Sequence, residues 1–384
     1  MSVQKLTLVM FGSLIAAACS SSSGSGDQFQ AAVPDSAGLT LEATGAASED
    51  AALTSDTAAA LTSGPASANA TASGLEFLPV IRDAIQDLNQ GVHQFFDPIG
   101  QIIATQGTDI GVGSAETFGP VDRDGVTYLL TVKRLATSRF VWKLEGKTAG
   151  SASTVPFTLL AVGSVFHAQN DAAHRGRGQI GIDLDAFKTV KPGFMGQGKL
   201  YGAYSHYDVT DPSGLAGDAK TLIYVLSNFS IDTSVHAPVS AAFAGYKSLS
   251  GVRRVRVLFY GDLPEFVGNP DKAELFLGRA RFNPGVGGRA DALVTGGDVP
   301  NGELIFGAEC WDKSEALVWK KVWACTGPST CTVVSETGDR TACAVDLRDD
   351  APEAPTDGQD LTGETGAPDP SLAAASAMPS FNSP

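Results

Sequence analysis

Cysteine is scarce, with five residues in 384, and no Cys-x-x-Cys pair is formed, so the ligand spacing of a zinc ribbon is missing. The central part of the chain holds no G-x-S-x-G sequence, which removes the nucleophile elbow of an α/β-hydrolase. Basic charge is in deficit: 27 Lys and Arg stand against 42 Asp and Glu, for a net charge of −15. The basic footprint of a nucleic-acid-binding protein is therefore absent. Long apolar runs are lacking too. The uncharged apolar stretch 6–18 is too short for a bilayer core of about 30 Å, which needs about 20 helical residues.

What charge there is sits at the ends. Residues 20–75 carry six acids and no base, and residues 344–384 carry eight acids against Arg348, which leaves 76–343 nearly neutral. Residues 20–73 are Ala, Ser, Thr and Gly with almost no aromatics. Such a segment buries too little apolar surface to offset its ordering entropy. A disordered tether over 19–74 and a disordered acidic tail over 349–384 are expected. The stretch between them, 75–348, has no Pro/Gly/Ser-rich linker and reads as one domain.

The first residues have the layout of an export signal: Lys5, then the apolar run, then Ala16-Ala17-Ala18 leading into Cys19. A cleaved signal over 1–18 accounts for them better than a membrane span. Leu14-Ile15-Ala16-Ala17-Ala18-Cys19 resembles the lipobox of bacterial lipoproteins, with Ala16 where that family prefers Leu. The resemblance covers only the signal. It implies a diacylglyceryl thioether on Cys19, and Ser20 after the Cys implies the outer membrane. Membrane attachment would then run through the N-terminal lipid, since two or more acyl chains anchor stably. An ordinary signal with a chance Cys is the alternative.

Without the anchor, Cys310, Cys325, Cys331 and Cys343 remain, an even number in an exported chain, which reads as two disulfides. Zinc is the competing use, although spacings of 15, 6 and 12 suit it poorly. Three connectivities are open. The favoured one closes a short loop with Cys325–Cys331 and ties the segment before the tail to a strand with Cys310–Cys343.

Phe77, Ile81, Ile85, Leu88, Val92, Phe95, Ile99 and Ile102 recur at spacings of three and four, one apolar stripe on a helix over 77–103. Pro79 suits its first turn, and Pro98 should kink or end it nearby. Strands are read at 126–132, which is rich in β-branched and aromatic residues, and at 139–145, where Phe140, Trp142 and Leu144 alternate with Arg139, Val141, Lys143 and Glu145, with similar runs near 156–167, 177–184, 197–207, 220–229, 252–260, 273–282, 288–295, 302–310 and 315–325. Asp122-Arg123-Asp124-Gly125 and Asp211-Pro212-Ser213-Gly214 are turn signals. Gly176-x-Gly178-x-Ile180 recurs as Gly196-x-Gly198-x-Leu200, which suggests consecutive sheet elements rather than a solenoid. Short connections favour antiparallel neighbours. The expected fold is mainly β: a large antiparallel sheet or half-barrel with one long amphipathic helix packed on it.

That element order loosely resembles the LolA/LolB-like half-barrel lipoprotein carriers, in which a helix covers a lipid cavity. No motif of that group is matched, so no functional residue is carried over. The Gly-x-Gly strand pair and Glu309-Cys310-Trp311-Asp312 also resemble uncharacterised lipoproteins of myxobacterial type, which implies no activity.

Candidate chemistry is thin. Gly176-Arg177-Gly178-Gln179-Ile180-Gly181 matches G-x-G-x-x-G, but Ile180, Ile182 and Leu184 continue as an alternating strand, whereas a dinucleotide site needs a strand before the motif and a helix opening from it. His167, Asp171 and His174 share one loop and read as a polar hairpin rather than a metal site. Asp183 and Asp185 would lie on one strand face. His206 and His236 have no sequence-level partner. Trp142 and Tyr204 fall on apolar faces and are the candidate ligand-facing residues. The reading is a non-enzymatic, lipid-anchored envelope protein with no cofactor and no metal, partnered by an apolar ligand or acting as a structural or interaction module. The alternative is a secreted hydrolase.

Overall fold

The computed structural model describes residues 32–33, 36–42, 77–104, 111–167, 174–210, 216–230, 239–261, 273–297, 299–326 and 330–345. Residues 1–18 read as an export signal, Cys19, Asp171, residues 211–214 read as a turn, His236 and residues 349–384 lie outside the described residues.

Three helices are described, α1 (Ser36–Leu39), α2 (Phe77–Ala104) and α3 (Leu184–Val190), with fourteen strands. These are β1 (Ala115–Arg123), β2 (Val126–Ala136), β3 (Arg139–Thr148), β4 (Thr158–Phe166), β5 (Gly176–Asp183), β6 (Gln197–Thr210) and β7 (Ala216–Ser230). They continue as β8 (Val239–Lys247), β9 (Arg253–Gly261), β10 (Glu274–Asn283), β11 (Gly287–Thr295), β12 (Leu304–Asp312), β13 (Leu317–Cys325) and β14 (Cys331–Gly338). The strands form one open antiparallel sheet in chain order. Consecutive pairing follows from the short connections. At the first, Asp124 and Gly125 both take positive φ (48° and 81°), the geometry of a two-residue hairpin turn whose twist matches that of the strands.

α2 crosses one face of the sheet. Its stripe from Phe77 to Ile102 is buried throughout, and Leu78, Val80, Ala84 and Phe96 widen it. The helix meets β10, β11 and β12 and reaches β1. The helix runs six residues past Pro98 and ends at Ala104, one residue beyond the expected range. Burial of Ile99 and Ile102 beyond Pro98 offsets the one backbone bond a proline removes. No described helix is long and apolar enough to cross a membrane.

Contact between helix and sheet is direct. A Cβ on Gly307 of β12 would stand 1.8 Å from the Phe77 ring, so only glycine fits beneath it. Phe96 meets Trp142 of β3 edge-on at 6.4 Å, and Phe95 meets Phe187 of α3 at 5.0 Å. One continuous cluster of buried side chains joins α2, α3, residues 36–41 and this face of the sheet.

Two expectations are corrected. Asp183 and Asp185 do not share a strand face. β5 ends at Asp183, whose Oδ1 accepts from Ala186 N at 3.0 Å and caps α3, while Asp185 in the first helical turn accepts from Gly198 N at 3.1 Å. Leu184, Phe187 and Val190, spaced by three, supply the buried side of that helix. A tether over 19–74 does not account for residues 36–42, which pack on the sheet. Leu39 and Leu41 are buried, and Asn89 of α2 both donates to Leu41 O and accepts from Leu41 N, each at 2.8 Å.

The cysteines pair as Cys310–Cys343 and Cys325–Cys331, with Cα atoms 5.8 and 4.0 Å apart.

Candidate functional site

The face away from α2 carries the more distinctive chemistry. Because side chains alternate along every strand, register decides which residues form rows across a sheet. One unbroken row of cross-strand partners runs Arg139, Phe166, Arg177, Ser205, Thr221, Tyr246, Arg254, Arg281, Arg289, Cys310, Trp319, from β3 to β13. The next row includes Gln179, Ala203, Ile223, Ala244, Arg256, Arg279 and Asp291. Arg254 thus stands directly opposite Arg281, Arg281 opposite Arg289, and Arg256 opposite Arg279. Like charges placed opposite one another destabilise a sheet.

One end of the row is closed. Asp291, 1 % exposed, accepts from Arg279 at 3.1 Å and from the equally buried Arg289 at 3.0 Å. The 3-10 turn Arg340–Ala342, held by Cys310–Cys343, lies over this end. Trp319 takes Arg289 at 6.0 Å and Arg340 at 5.4 Å from its ring, arrangements that stabilise a guanidinium through the ring quadrupole.

From β3 to β10 the row is open. Arg139, Arg177, Thr221, Tyr246, Arg254 and Arg256 are exposed. Two grooves run along it, of about 610 and 670 Å³, and Thr221 and Ile223 line both. Their floor is small (Ala203, Ala244, Gly245). Arg177 lies over the Phe166 ring at 5.0 Å.

The two residues singled out as ligand-facing are both buried. Trp142 is buried against Phe96, and the sheet leaves only Gly163 opposite it, where a Cβ would fall 2.3 Å from the indole. It faces the helix because its position in β3 belongs to the covered face. Tyr204 is buried, packs across Gly178 and borders the larger groove; burial pushes its phenol well above the ordinary range. Tyr246 and the arginines were missed. The pattern Arg254-x-Arg256 and Arg279-x-Arg281 was visible, but opposing the two pairs requires the register.

A second cluster, on the covered face, holds residues 36–42 in place. Glu42 lies 3.2 Å from Lys220 and 3.4 Å from Lys247, and it accepts from Arg253. Lys220 donates to Thr40 O at 2.8 Å. Next to it His206 meets Asp218 at 3.2 Å and Arg175 at 3.3 Å, so both ring nitrogens are engaged. His174 and His167 bond the backbone oxygens of Val33 and Arg175 at 2.8 and 2.7 Å. In this arrangement the imidazoles fasten chain segments.

Burial alone would raise the Glu42 and Asp218 carboxyls, but Lys220, Arg253 and Lys247 hold the first below its ordinary value, and His206 and Lys247 hold the second. Burial and Arg175 lower His206. All three shifts weaken the fold in acid. As pH falls below 6.5, the ordinary value for His206, the unfolded chain takes up a proton that the folded chain refuses. Below 4.5, the ordinary value for Glu42, the folded carboxylates lose their advantage as their lowered pKa values are crossed. Tm measured from pH 8 to 3 should therefore fall in two stages. Glu42→Gln should lower stability at pH 7 by about 2 kcal/mol, because Lys220, Lys247 and Arg253 lose their shared partner, and should flatten the lower stage. An unchanged profile would show that Glu42 does not clamp this segment.

Comparison with protein-family models, with curated proteins and with solved structures gives no match. The functional reading therefore rests on the chemistry of these two faces.

Proposed function

We propose that this is a lipid-anchored protein of the cell envelope, held at the outer membrane through Cys19, which works without catalysis as an interaction module. Its binding surface is the face of the sheet away from α2. The observation that carries this over an apolar carrier is the contact of helix and sheet. Phe77 lies on Gly307, and Phe96 meets Trp142, so a lipid has no room between the elements at these points. The grooves of about 610 and 670 Å³ lie on the other face and combine apolar side chains such as Ile223, Val252 and Val165 with arginines and hydroxyls, which suits a partner that has both polar and apolar surface.

Cys19→Ser should abolish incorporation of radiolabelled palmitate and normal lipoprotein processing; equal labelling of mutant and wild type would overturn the anchor. Solvent extraction and mass spectrometry of protein purified from its native envelope should recover no stoichiometric lipid beyond the covalent acyl chains. A stoichiometric extractable lipid would overturn the module in favour of a carrier.

A further inference from the structure

We propose that β14, an open edge of the sheet, is a self-association site, through which two copies of this chain pair antiparallel about a two-fold axis between Val334 and Ser335. The inference goes beyond the reading of the outer face as a binding surface, and it depends neither on the grooves nor on Cys19.

The two edges of the sheet differ. β1 is interrupted at Pro120, which has no N–H to offer. Phe118 and Gly119 have further interactions, and α2 reaches this strand. β14 has no proline and no lysine, the residues that commonly guard an edge. Every residue from 332 to 338 is exposed, Val333 by 53 % and Val334 by 63 %. β13 is the only neighbour of β14 in the sheet, so the outward N–H and C=O groups of 332–337 have no partner among the described residues. Such a row of groups is a template for another strand.

This edge is also held rigid. No side chain of β14 is buried, so packing contributes little to its place on the sheet. Yet Cys331, its first residue, is bonded to Cys325, and Cys343, just past its last, to Cys310. The two disulfides thus bracket the strand. Between them Glu336 accepts from Trp319 Nε1 at 3.1 Å and lies 2.9 Å from Lys321. An edge fixed in one geometry loses little freedom when it pairs, and main-chain hydrogen bonds then supply the affinity of strand addition. Lys321 offsets the charge of Glu336, so the edge meets a copy of itself without strong repulsion.

The register favours a second copy as the partner. β14 pairs with β13 as Val322↔Ser335 and Trp323↔Val333, which leaves Val334 as a bulge. Cys331, Val333, Glu336 and Gly338 then fall on the outer face, opposite Cys325, Trp323, Lys321 and Trp319, and Thr332, Ser335 and Thr337 fall on the other. This order reads the same from both ends. An antiparallel copy therefore sets like faces together, with Thr332 opposite Thr337 of the second copy, Val333 opposite Glu336 and Val334 opposite Ser335. Threonine pairs stabilise a sheet, and no like charges stand opposite one another. Pairing of β14 with β1 of another copy would meet the interruption at Pro120. Two-fold pairing uses the same strand on both copies and closes at a dimer.

The test uses the full chain in detergent and in vesicles of phosphatidylethanolamine and phosphatidylglycerol. Sedimentation should show a monomer–dimer equilibrium. Hydrogen exchange should show protection of the outward N–H groups among 332–337 that rises with protein concentration. The pairing of Val334 with Ser335 permits a charge test. Val334→Lys/Ser335→Lys sets lysine opposite lysine twice and should weaken association about tenfold, whereas Val334→Lys/Ser335→Glu sets lysine opposite glutamate twice and should retain it. Both positions are exposed, so the two variants should melt close to the wild type.

A monomer in both media at the highest concentration, with fast exchange of the outward groups, would overturn the proposal. So would a dimer that the two variants affect equally, because the contact would then lie elsewhere. Protection already complete in the monomer would assign the edge to another segment of the same chain and would overturn it too.

Discussion

Glu309→Ala should destabilise the protein by about 3–5 kcal/mol, the cost of breaking a buried charged contact by removing one partner. For a domain of this size that is on the order of 10 °C in Tm. Glu309 sits on β12 and is 0 % exposed. Its Oε1 accepts from Phe77 N at 3.0 Å and Leu78 N at 2.6 Å, across 232 and 231 residues of chain. The first four N–H groups of a helix have no partner within it. A carboxylate there satisfies two of them and also complements the positive end of the helix dipole. The contact does more than cap: it fixes where on the sheet α2 begins, and so which glycine lies beneath Phe77. Glu309→Gln retains one acceptor oxygen without the charge and should cost less, about 1–2 kcal/mol. Urea denaturation measures both. A loss below about 0.5 kcal/mol for the Ala variant, the range of ordinary surface substitutions, would mean that the helix start is fixed by something else.

Glu309 shows where sequence reading ends. The stripe from Phe77 to Ile102 was legible because a buried helical face repeats every three to four residues, and all eight members are buried. Cys310–Cys343 and Cys325–Cys331 were legible from number and spacing. Eleven strands were read from alternation or from runs of β-branched and aromatic residues. The three left unread lack that signal for separate reasons. β1 is interrupted by Gly119-Pro120, where its pairing with β2 shifts. β8, Val239–Lys247, has three alanines and a glycine among its nine residues, so small side chains blur the contrast between its faces. β14 is an edge strand with an almost wholly exposed pattern. α3 hid behind the alternation of Ile180, Ile182 and Leu184, although Asp183 three residues before Ala186 is an N-cap position. Residues 36–42 carry only Leu39, Leu41 and Glu42 as signals inside an otherwise featureless stretch. The partners of these residues lie far along the chain, and no local pattern announces them. The arginine row was hidden for the same reason: its members are spread over 151 positions from Arg139 to Arg289 inclusive and meet only through register.

The core under α2 makes the strongest demand on the module reading. Ile85→Ala and Leu88→Ala should each cost about 2–5 kcal/mol, the transfer free energy of the lost atoms plus a cavity that the neighbours cannot fully close. Both side chains are 1 % exposed and belong to the same buried cluster as Tyr224, Phe276 and Phe259 of the sheet. The sheet offers little room to relax, because Phe259 and Phe276 already stack at 5.1 Å and Phe276 packs over Gly278 beside Ile81. A carrier makes the opposite forecast. There the helix roofs a cavity, so a smaller side chain removes few contacts, costs little in the empty protein, and changes the midpoint chiefly when lipid is present, through the linkage of binding to folding. Denaturation midpoints of both variants, with and without lipid extracted from the native envelope, separate the two. Equal losses in both conditions support a solid core. Losses confined to the lipid-bound state would return the covered face to a ligand, and wild-type midpoints in both conditions would mean that α2 contributes nothing to the stability of the sheet.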